Sequence, residues 1–407
     1  MTVLDTRPVP TAYGTARLLA GVTSGRTAGV ARHRAHHGEQ RFHDQATLAG
    51  LADSVRLLGR GGAAFPVGVK LRAMPSGAAV QVLVNGSESE PASMKDRTLM
   101  RLAPHLVLDG ALLVARALGT HHVTVVVHDA ASAAALRSAQ AERRDAAGVR
   151  ILHADGGFIS GEVRAAIRGL SGGPAVPPGR RVLPHVHGVD GDPTFASNVE
   201  TFAQLALVAS LGADRFAEVG SPDEPGTTLL TLVGDVPHPG VVEVPTGLPI
   251  SALLPDQDVR PRPVLVGGYH GSWVTDIRDL RLDRPALRAA GLPLNAGVVA
   301  RLSPDTCALG EVAAVASWLA GQSAGQCGPC FFGLPTVARD VHSLLRGDDP
   351  GAELARRVAQ LPGRGACAHP DGSAMFVRTA LTALADEVEA HRRHGTCGRP
   401  WRGELPS

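Results

Sequence analysis

The chain has 407 residues, 44% of them apolar, with a formal net charge of +2 and only 3% aromatic side chains. That length predicts two to three domains, whereas near-balanced charge and scarce rings argue against a nucleic-acid binder that works by basic charge or base stacking. No apolar run approaches the ~18 residues of a membrane span, and Met1 to Ala20, with Asp5 and Arg7, lacks the apolar stretch of a secretory signal, so a cytoplasmic location and no direct membrane span are expected.

Residues 1 to about 45 read as an N-terminal arm with a short helix around Thr15 to Ala20. Arg32, His33, Arg34, His36 and His37 form a local basic patch there, expected as a solvated face or docking surface. Thr47 to Leu58 has helical periodicity and leads into Gly59-Arg60-Gly61-Gly62-Ala63-Ala64-Phe65-Pro66, with Lys70 just beyond. Only two of the chain's 40 basic residues are lysines, Lys70 and Lys95, and both fall in this region. Gly59, Gly61 and Gly62 let the backbone take positive φ and let an anion approach bare N–H groups. A compact ammonium beside them suits a phosphate; taken alone, the glycines also fit a plain tight turn. Val80 to Val84 reads as a strand, which puts Asn85, Glu88 and Glu90 on the loop leaving its carboxyl end, where α/β sheets bind ligands. Two carboxylates spaced i and i+2 on a loop more commonly face solvent as caps.

Pro104 to Leu118 reads as a helix, His122 to Val127 as a strand, Ala131 to Ala146 as a helix and Val149 to His153 as a strand. Such alternation predicts an α/β domain, with a mixed or parallel sheet, over residues 46–225. Gly169 to Asp192 is a Gly-, Pro- and Arg-rich loop of a length that is usually functional. Beyond Glu224-Pro225-Gly226, the short runs Thr228 to Val233, Gly240 to Val244, Ile250 to Leu253 and Pro263 to Gly267 predict a small β-rich domain over 226–300. From 301 to 407 the chain turns helical: Leu309 to Ala320, Leu334 to Leu345, Ala352 to Leu361 and Met375 to His394 are amphipathic, with connections that suit an antiparallel bundle.

Five cysteines are an odd set, and Cys327, Cys330 and Cys367 cluster late in the chain, which in a reducing compartment favours metal or redox work over disulfides. Cys327-Gly328-Pro329-Cys330 alone has three readings: a dithiol, half of a zinc site or part of an iron–sulfur site. A helix rather than a strand precedes it, which disfavours the dithiol. Zinc lacks a second Cys-x-x-Cys, although His369 near Cys367 could contribute.

Gly59 to Leu71 and Asn85 to Arg97 together resemble the flavin- and NADH-binding subunit of respiratory complex I and the flavoprotein subunits of related NAD-linked hydrogenases and formate dehydrogenases. Further on, Phe158-Ile159-Ser160-Gly161-Glu162 looks like the family's Tyr-x-x-Gly-Glu loop. Gly191-Asp192-Pro193-Thr194 and Ser197-Asn198-Val199-Glu200-Thr201 look like its Gly-Arg-Pro-Thr and Asn-Asn-Val-Glu-Thr motifs, and Ser323 to Cys330 with Cys367 resembles its iron–sulfur segment. The four motifs occur in the family's order and span most of the chain. The resemblance implies FMN held by Gly59, Arg60, Gly61, Gly62, Phe65, Lys70, Asn85, Gly161, Glu162, Asn198 and Thr201. Glu88 and Glu90 would act catalytically by orienting the dihydronicotinamide of NAD(H), and Cys327, Cys330 and Cys367 would hold an iron–sulfur cluster of the 4Fe-4S type. It also implies a β-grasp module in the third domain, an iron–sulfur-binding fourth domain, and an electron-accepting partner such as a ferredoxin or a membrane reductase subunit, which would place the protein at most peripherally on a membrane complex.

The chain departs from the family at Ser87, Phe158, Val163 and Ser197, and Leu71-Arg72-Ala73 replace the aromatic residues beyond the lysine, leaving Phe65 as the expected stacking platform. Ala324 stands where the family has its first cluster cysteine, so the ligand set is incomplete, with Cys307, Cys397 and His369 as candidate substitutes and Cys307 ranked slightly first. A non-catalytic scaffold, or a flavin-only subunit that has lost its cluster, is the alternative reading.

Overall fold

The computed structural model describes residues 13–22, 27–154, 156–179, 182–254, 262–348 and 350–406; residues 1–12 and 23–26 of the expected arm lie outside them. Where it is described, the arm packs down. Thr15 to Ala20 forms turns rather than a helix, because the N–H groups of Arg17, Leu18 and Leu19 donate to the buried carboxylate of Glu243 at 2.9, 2.8 and 3.0 Å instead of to a helical ladder. Helix α1 (Val30–His37) turns part of the basic patch inward, with His33 Nε2 2.6 Å from Asp109 Oδ2.

Helix α2 (Gln45–Ser54) starts at Asp44, whose carboxylate accepts the Thr47 N–H, and α3 (Val67–Arg72) follows the glycine loop. Next come β1 (Gln81–Gly86), α4 (Lys95–Leu102), α5 (Pro104–Ala117), β2 (His122–Val127), α6 (Ala130–Ala141), β3 (Arg150–His153), α7 (Val163–Leu170), β4 (Thr194–Asn198) and α8 (Val199–Leu211). The four strands are all parallel, in the order β3-β2-β1-β4. Strand β1 is apolar on both faces because both are covered: Val82 and Val84 join the core that α5 and α8 fill, while Leu83 meets Ile167 and Val189 on the other side. Helices α5 and α8 approach closely at Gly110, where a Cβ would lie 1.9 Å from the carbonyl oxygen of Phe202. Since the chain leaves β1 toward β2 and β3 and returns to its other side as β4, the sheet has its switch point between β1 and β4.

After α9 (Ala213–Ala217), a second sheet forms from β5 (Thr227–Gly234), β6 (Gly240–Pro245), β7 (Val264–Val266), β8 (Ser272–Val274) and, after α10 (Arg284–Ala289), β9 (Val298–Arg301). Its order is β6-β5-β9-β7-β8, with β9 parallel to β5 and antiparallel to β7. Ile250 to Leu253, expected as a strand, is a 3-10 turn, since Ala252 and Leu254 donate back to Pro249 and Ser251. Helices α11 (Ala308–Gly321), α12 (Leu334–Leu345), α13 (Gly351–Gln360), α14 (His369–Ala383) and α15 (Ala385–His394) end the chain. The single helix expected over Met375 to His394 is thus two, broken at Leu384. Val312, Val337, Val341 and Phe376 pack in one cluster with Leu265, Trp273 and Val298, so the helices and the second sheet share a core. No single helix among the described residues is long and apolar enough to cross a membrane.

Candidate functional site

Asn85 and Asn198 are register partners at the carboxyl ends of β1 and β4, the two strands of the switch point. The glycine loop lies against this crevice. Its ends are tied by Gly59 N–H to the Phe65 carbonyl (3.0 Å) and Val67 N–H to the Leu57 carbonyl (2.9 Å). A Cβ on Gly61 would stand 3.2 Å from that of Asn198, so a side chain there would press on the end of β4. Gly62 and Ala64 have φ of 91° and 47°. Between them the backbone turns, and among the described residues no protein acceptor meets the N–H groups of Gly61, Gly62, Ala63 and Ala64. Consecutive unpartnered N–H groups on a turning backbone form an anion-binding concavity.

Lys70, half-buried in α3, donates from Nζ to the Ala196 carbonyl of β4 at 2.8 Å and stands 5.7 Å from the Phe195 ring centre. Burial lowers its pKa to about 8. Thr201 Oγ1 accepts the Arg60 N–H at 2.9 Å and so holds the loop onto the start of α8. The Arg60 side chain turns away into the protein, fully buried beside Glu224, Glu200 and Arg284; burial, reinforced by Arg284, lowers its pKa to about 9. Arg60 therefore brings its peptide, not its guanidinium, to the loop. Lys95 opens α4 and is buried in an adjoining network, with Nζ 2.7 Å from Asp96 Oδ1 and 3.0 Å from Glu200 Oε2. Burial opposes its charge, but Asp96, Glu200 and Glu88 outweigh that and raise its pKa.

The remaining polar residues of the crevice hold its shape. Asn198 Oδ1 accepts the Glu200 N–H (2.9 Å) as the cap of α8, and its Nδ2 donates to Asp96 (2.6 Å). Asn85 Nδ2 donates to the Gly161 carbonyl (2.9 Å), which ties the Phe158 to Glu162 turn to β1. Glu162 accepts the Ala165 N–H (3.2 Å) at the start of α7 and pairs with Arg164 (2.8 Å).

Glu88 accepts from Ser93 Oγ (2.6 Å) and from the N–H groups of Asp96 and Arg97 (both 3.0 Å), the first free donors of α4. Glu90 accepts the Tyr269 N–H at 2.9 Å, and burial, with Glu88 nearby, pushes its pKa up to about 7. Both carboxylates are buried rather than solvent-facing.

Beside this loop opens a cavity of about 930 Å³ whose walls include Glu88, Arg97, Phe158, Trp318, Trp401 and Arg402. Its volume suits a cofactor-sized ligand. Phe158 meets Trp318, His270 and His369 with ring centres 5.2, 4.8 and 5.6 Å away, so the first sheet's loop, the second sheet and the helices converge on one ring. Phe65, expected as the stacking platform, is 49% exposed on the glycine loop and does not line the cavity. Trp318 and Trp401 do line it, and no local motif marks either in the sequence.

Cys327 and Cys330 bring their Sγ atoms to 3.4 Å at a single π-helical turn, Pro329–Gly333. Burial opposes ionisation of Cys330, but backbone N–H groups and the Cys327 thiol outweigh it and lower its pKa. Cys367 is raised, chiefly by burial and then by Cys330 and Cys327, whose charges it feels. Ala324 offers no lone pair. His369 engages both ring nitrogens, Nε2 with the Leu319 carbonyl (2.9 Å) and Nδ1 with His270 Nε2 (3.0 Å). Cys307 precedes α11 and Cys327 follows it, about 20 Å apart along a helix of that length at ~1.5 Å rise per residue. Its ranking as first substitute ligand does not survive that separation. The thiols present fit a cluster in which one iron takes a ligand other than cysteine.

Residues 52–207 match the family model described as the Nuo51 FMN-binding domain, and residues 310–391 match the NADH-ubiquinone oxidoreductase-F iron-sulfur binding region. The chain is therefore of the class that joins an FMN-binding α/β domain to an iron–sulfur region. The F subunit of NADH-quinone oxidoreductase in Mycobacterium tuberculosis is 30% identical over 90% of this chain and 90% of its own length. That of Escherichia coli is 30% identical over 82% of each. The crystal structure of an air-oxidised NAD+-reducing NiFe hydrogenase superposes with a TM-score of 0.79 at 25% identity, covering 97% of this chain and 68% of that one. The chain belongs to the family of NADH-quinone oxidoreductase F subunits.

Proposed function

We propose that this chain oxidises NADH with FMN bound at the β1/β4 crevice and hands the electrons, through an iron–sulfur centre, to a partner protein. The observation that carries this reading is the run of unpartnered N–H groups at Gly61 to Ala64 lying against a switch point, with Lys70 beside it. FMN, when bound, accepts a hydride from a dihydronicotinamide and releases its electrons singly.

The chain's own residues bind, orient and exclude water. The backbone of Gly59 to Gly62 and the Lys70 ammonium would hold the phosphate. Asn85, Asn198 and Thr201 fix the crevice, and Gly161 with Glu162 forms its facing turn. Phe65 rims the loop. In the cavity, Phe158, Trp318 and Trp401 offer faces for the rings of NAD(H), and Arg97 and Arg402 offer charge for its pyrophosphate. Glu88 and Glu90 act by fixing the loop that carries the dinucleotide into near-attack geometry, which is positioning rather than proton transfer. Cys327, Cys330 and Cys367 would hold the cluster.

The domains read as an arm (1–45), an FMN- and NADH-binding α/β domain (46–225), a β-grasp domain (226–300) and a helical iron–sulfur domain (301–407). Support for the β-grasp comes from two hairpins with the last strand inserted between them, parallel to the first. Phe331 and Phe332, 61% and 75% exposed beside Cys330, support a docking face for an electron acceptor such as a ferredoxin or a membrane reductase subunit. That role fits a cytoplasmic protein peripheral to a membrane complex.

Lys70→Ala tests the reading. The loss of a charged hydrogen bond, worth roughly 1.5–3 kcal/mol, should weaken FMN affinity about ten- to hundredfold, measured as flavin fluorescence during equilibrium titration. Unchanged affinity in a folded variant would remove Lys70 from the phosphate site.

A further inference from the structure

At the far end of α11 from the Cys327 segment lies a second cluster, formed by Cys307, Glu387, His391 and Cys397, whose ligand atoms all fall within 4.8 Å of one another. We propose that these four residues bind a single zinc ion that fastens the C-terminal tail to the start of α11.

The donor set and spacing match the metal. Cys307 Sγ is 3.3 Å from Glu387 Oε1 and 3.4 Å from His391 Nε2. A tetrahedral zinc with bonds of about 2.3 Å to sulfur and about 2.0–2.1 Å to nitrogen or oxygen has sulfur-to-nitrogen edges of about 3.5 Å. Glu387 and His391 are i and i+4 on α15, hence on one face, and Cys397 follows within the turn that Gly395 makes at φ 70°. His391 Nδ1 lies 2.8 Å from the Leu345 carbonyl, so its proton belongs there and Nε2 presents its lone pair to the cluster. Such a partner is the usual outer support of a zinc-bound imidazole.

Charge is balanced as well. Two thiolates, one carboxylate and a neutral imidazole around Zn²⁺ leave one negative charge, and Arg399 donates to Glu387 Oε2, the oxygen not facing Cys307. The Gly310 N–H donates to Cys307 Sγ at 3.3 Å, a helix N-terminal donor that suits a thiolate. Around the cluster the tail is already clasped: Cys307 N–H donates to the Pro400 carbonyl (2.8 Å), and Glu311 accepts the N–H groups of Gly403 (2.7 Å) and Leu405 (3.1 Å). Trp401 and Arg402 of that tail wall the cavity beside Glu88, so the metal would fix one side of the cavity. Binding releases the two thiol protons to solvent. The site stands apart from the thiols of Cys327, Cys330 and Cys367 and does not depend on the function proposed above.

The experiment uses the full chain, purified under reducing conditions without chelator, loaded with zinc chloride and desalted, with zinc and iron counted by elemental analysis. About one zinc per chain should remain, and Cys397→Ser, at the half-buried ligand, should lose it, as should Cys307→Ser. A Cys327→Ser/Cys330→Ser protein should keep its zinc while losing iron. Cobalt in place of zinc should give thiolate-to-metal charge-transfer bands that vanish in Cys397→Ser. Zinc absent from the loaded wild type, zinc retained undiminished in Cys397→Ser, or a Cys307–Cys397 disulfide in the reduced preparation would overturn the proposal.

Discussion

Glu90 carries its proton at a pH where an ordinary glutamate has lost it, because burial disfavours the carboxylate. Its folded pKa of about 7 lies above the unfolded value, so the folded state binds the extra proton. Stability from this group is fully present below about pH 4.5 and is lost as pH rises through about 7. Glu90→Gln keeps an acceptor for the Tyr269 N–H and removes the titration. The variant should match the wild type in thermal unfolding near pH 4.5 and exceed it by roughly 1–3 kcal/mol at pH 8; a constant difference across that range would contradict the assignment. Sequence alone marked Glu90 within its motif but not its burial, which depends on Tyr269 and so on a separate sheet. Arg60 shows the same limit. Its place in the glycine loop pointed to a ligand, yet its partner Glu224 lies 164 positions away. The placement of Lys70 just after the glycine loop and of Asn85 at the end of β1 was legible, because both follow from local sequence.

At the scale of elements, α5 and α8 approach closely where Gly110 meets the Phe202 carbonyl. Gly110→Ala would force these helices apart in a packed core, since backbone rather than a flexible side chain stands in the way. The expected loss is about 1–3 kcal/mol or more, read as a lowered unfolding midpoint in urea. Gly148→Ala, where a Cβ meets nothing within 4 Å, should be near neutral and serves as control. Equal stability of the two variants would show that the helices adjust without cost. Elements that carry their own periodicity were legible: β2 of the first sheet falls on His122 to Val127 and α12 of the C-terminal helices on Leu334 to Leu345, as read from sequence, whereas β4 and α8 were not read. Strand β9 was not, because four residues carry too little pattern, although it completes the centre of the second sheet. The break at Leu384 was not legible either, since helical periodicity continues on both sides of it.

Across the whole molecule, the order of motifs disclosed the family, and the family disclosed the chemistry. The cavity was not legible, because its walls come from the ends of β1 and β2, the Phe158 turn, α11 and the tail beyond residue 400, which only folding brings together. That assembly places the Phe158 ring where the first sheet, the second sheet and the helices meet, and puts the cysteine segment at the end of α11 nearer to it, since Trp318 belongs to the last turn of that helix. On this proposal, FMN bound at the glycine loop is reduced by NADH in the adjoining cavity. Anaerobic titration of the FMN-loaded full chain with NADH, followed by flavin absorbance, tests it most directly. Bleaching should be complete at about one NADH per flavin in cluster-free protein. A tightly bound flavin whose absorbance NADH leaves unchanged, or a chain that binds no FMN at all, would contradict it.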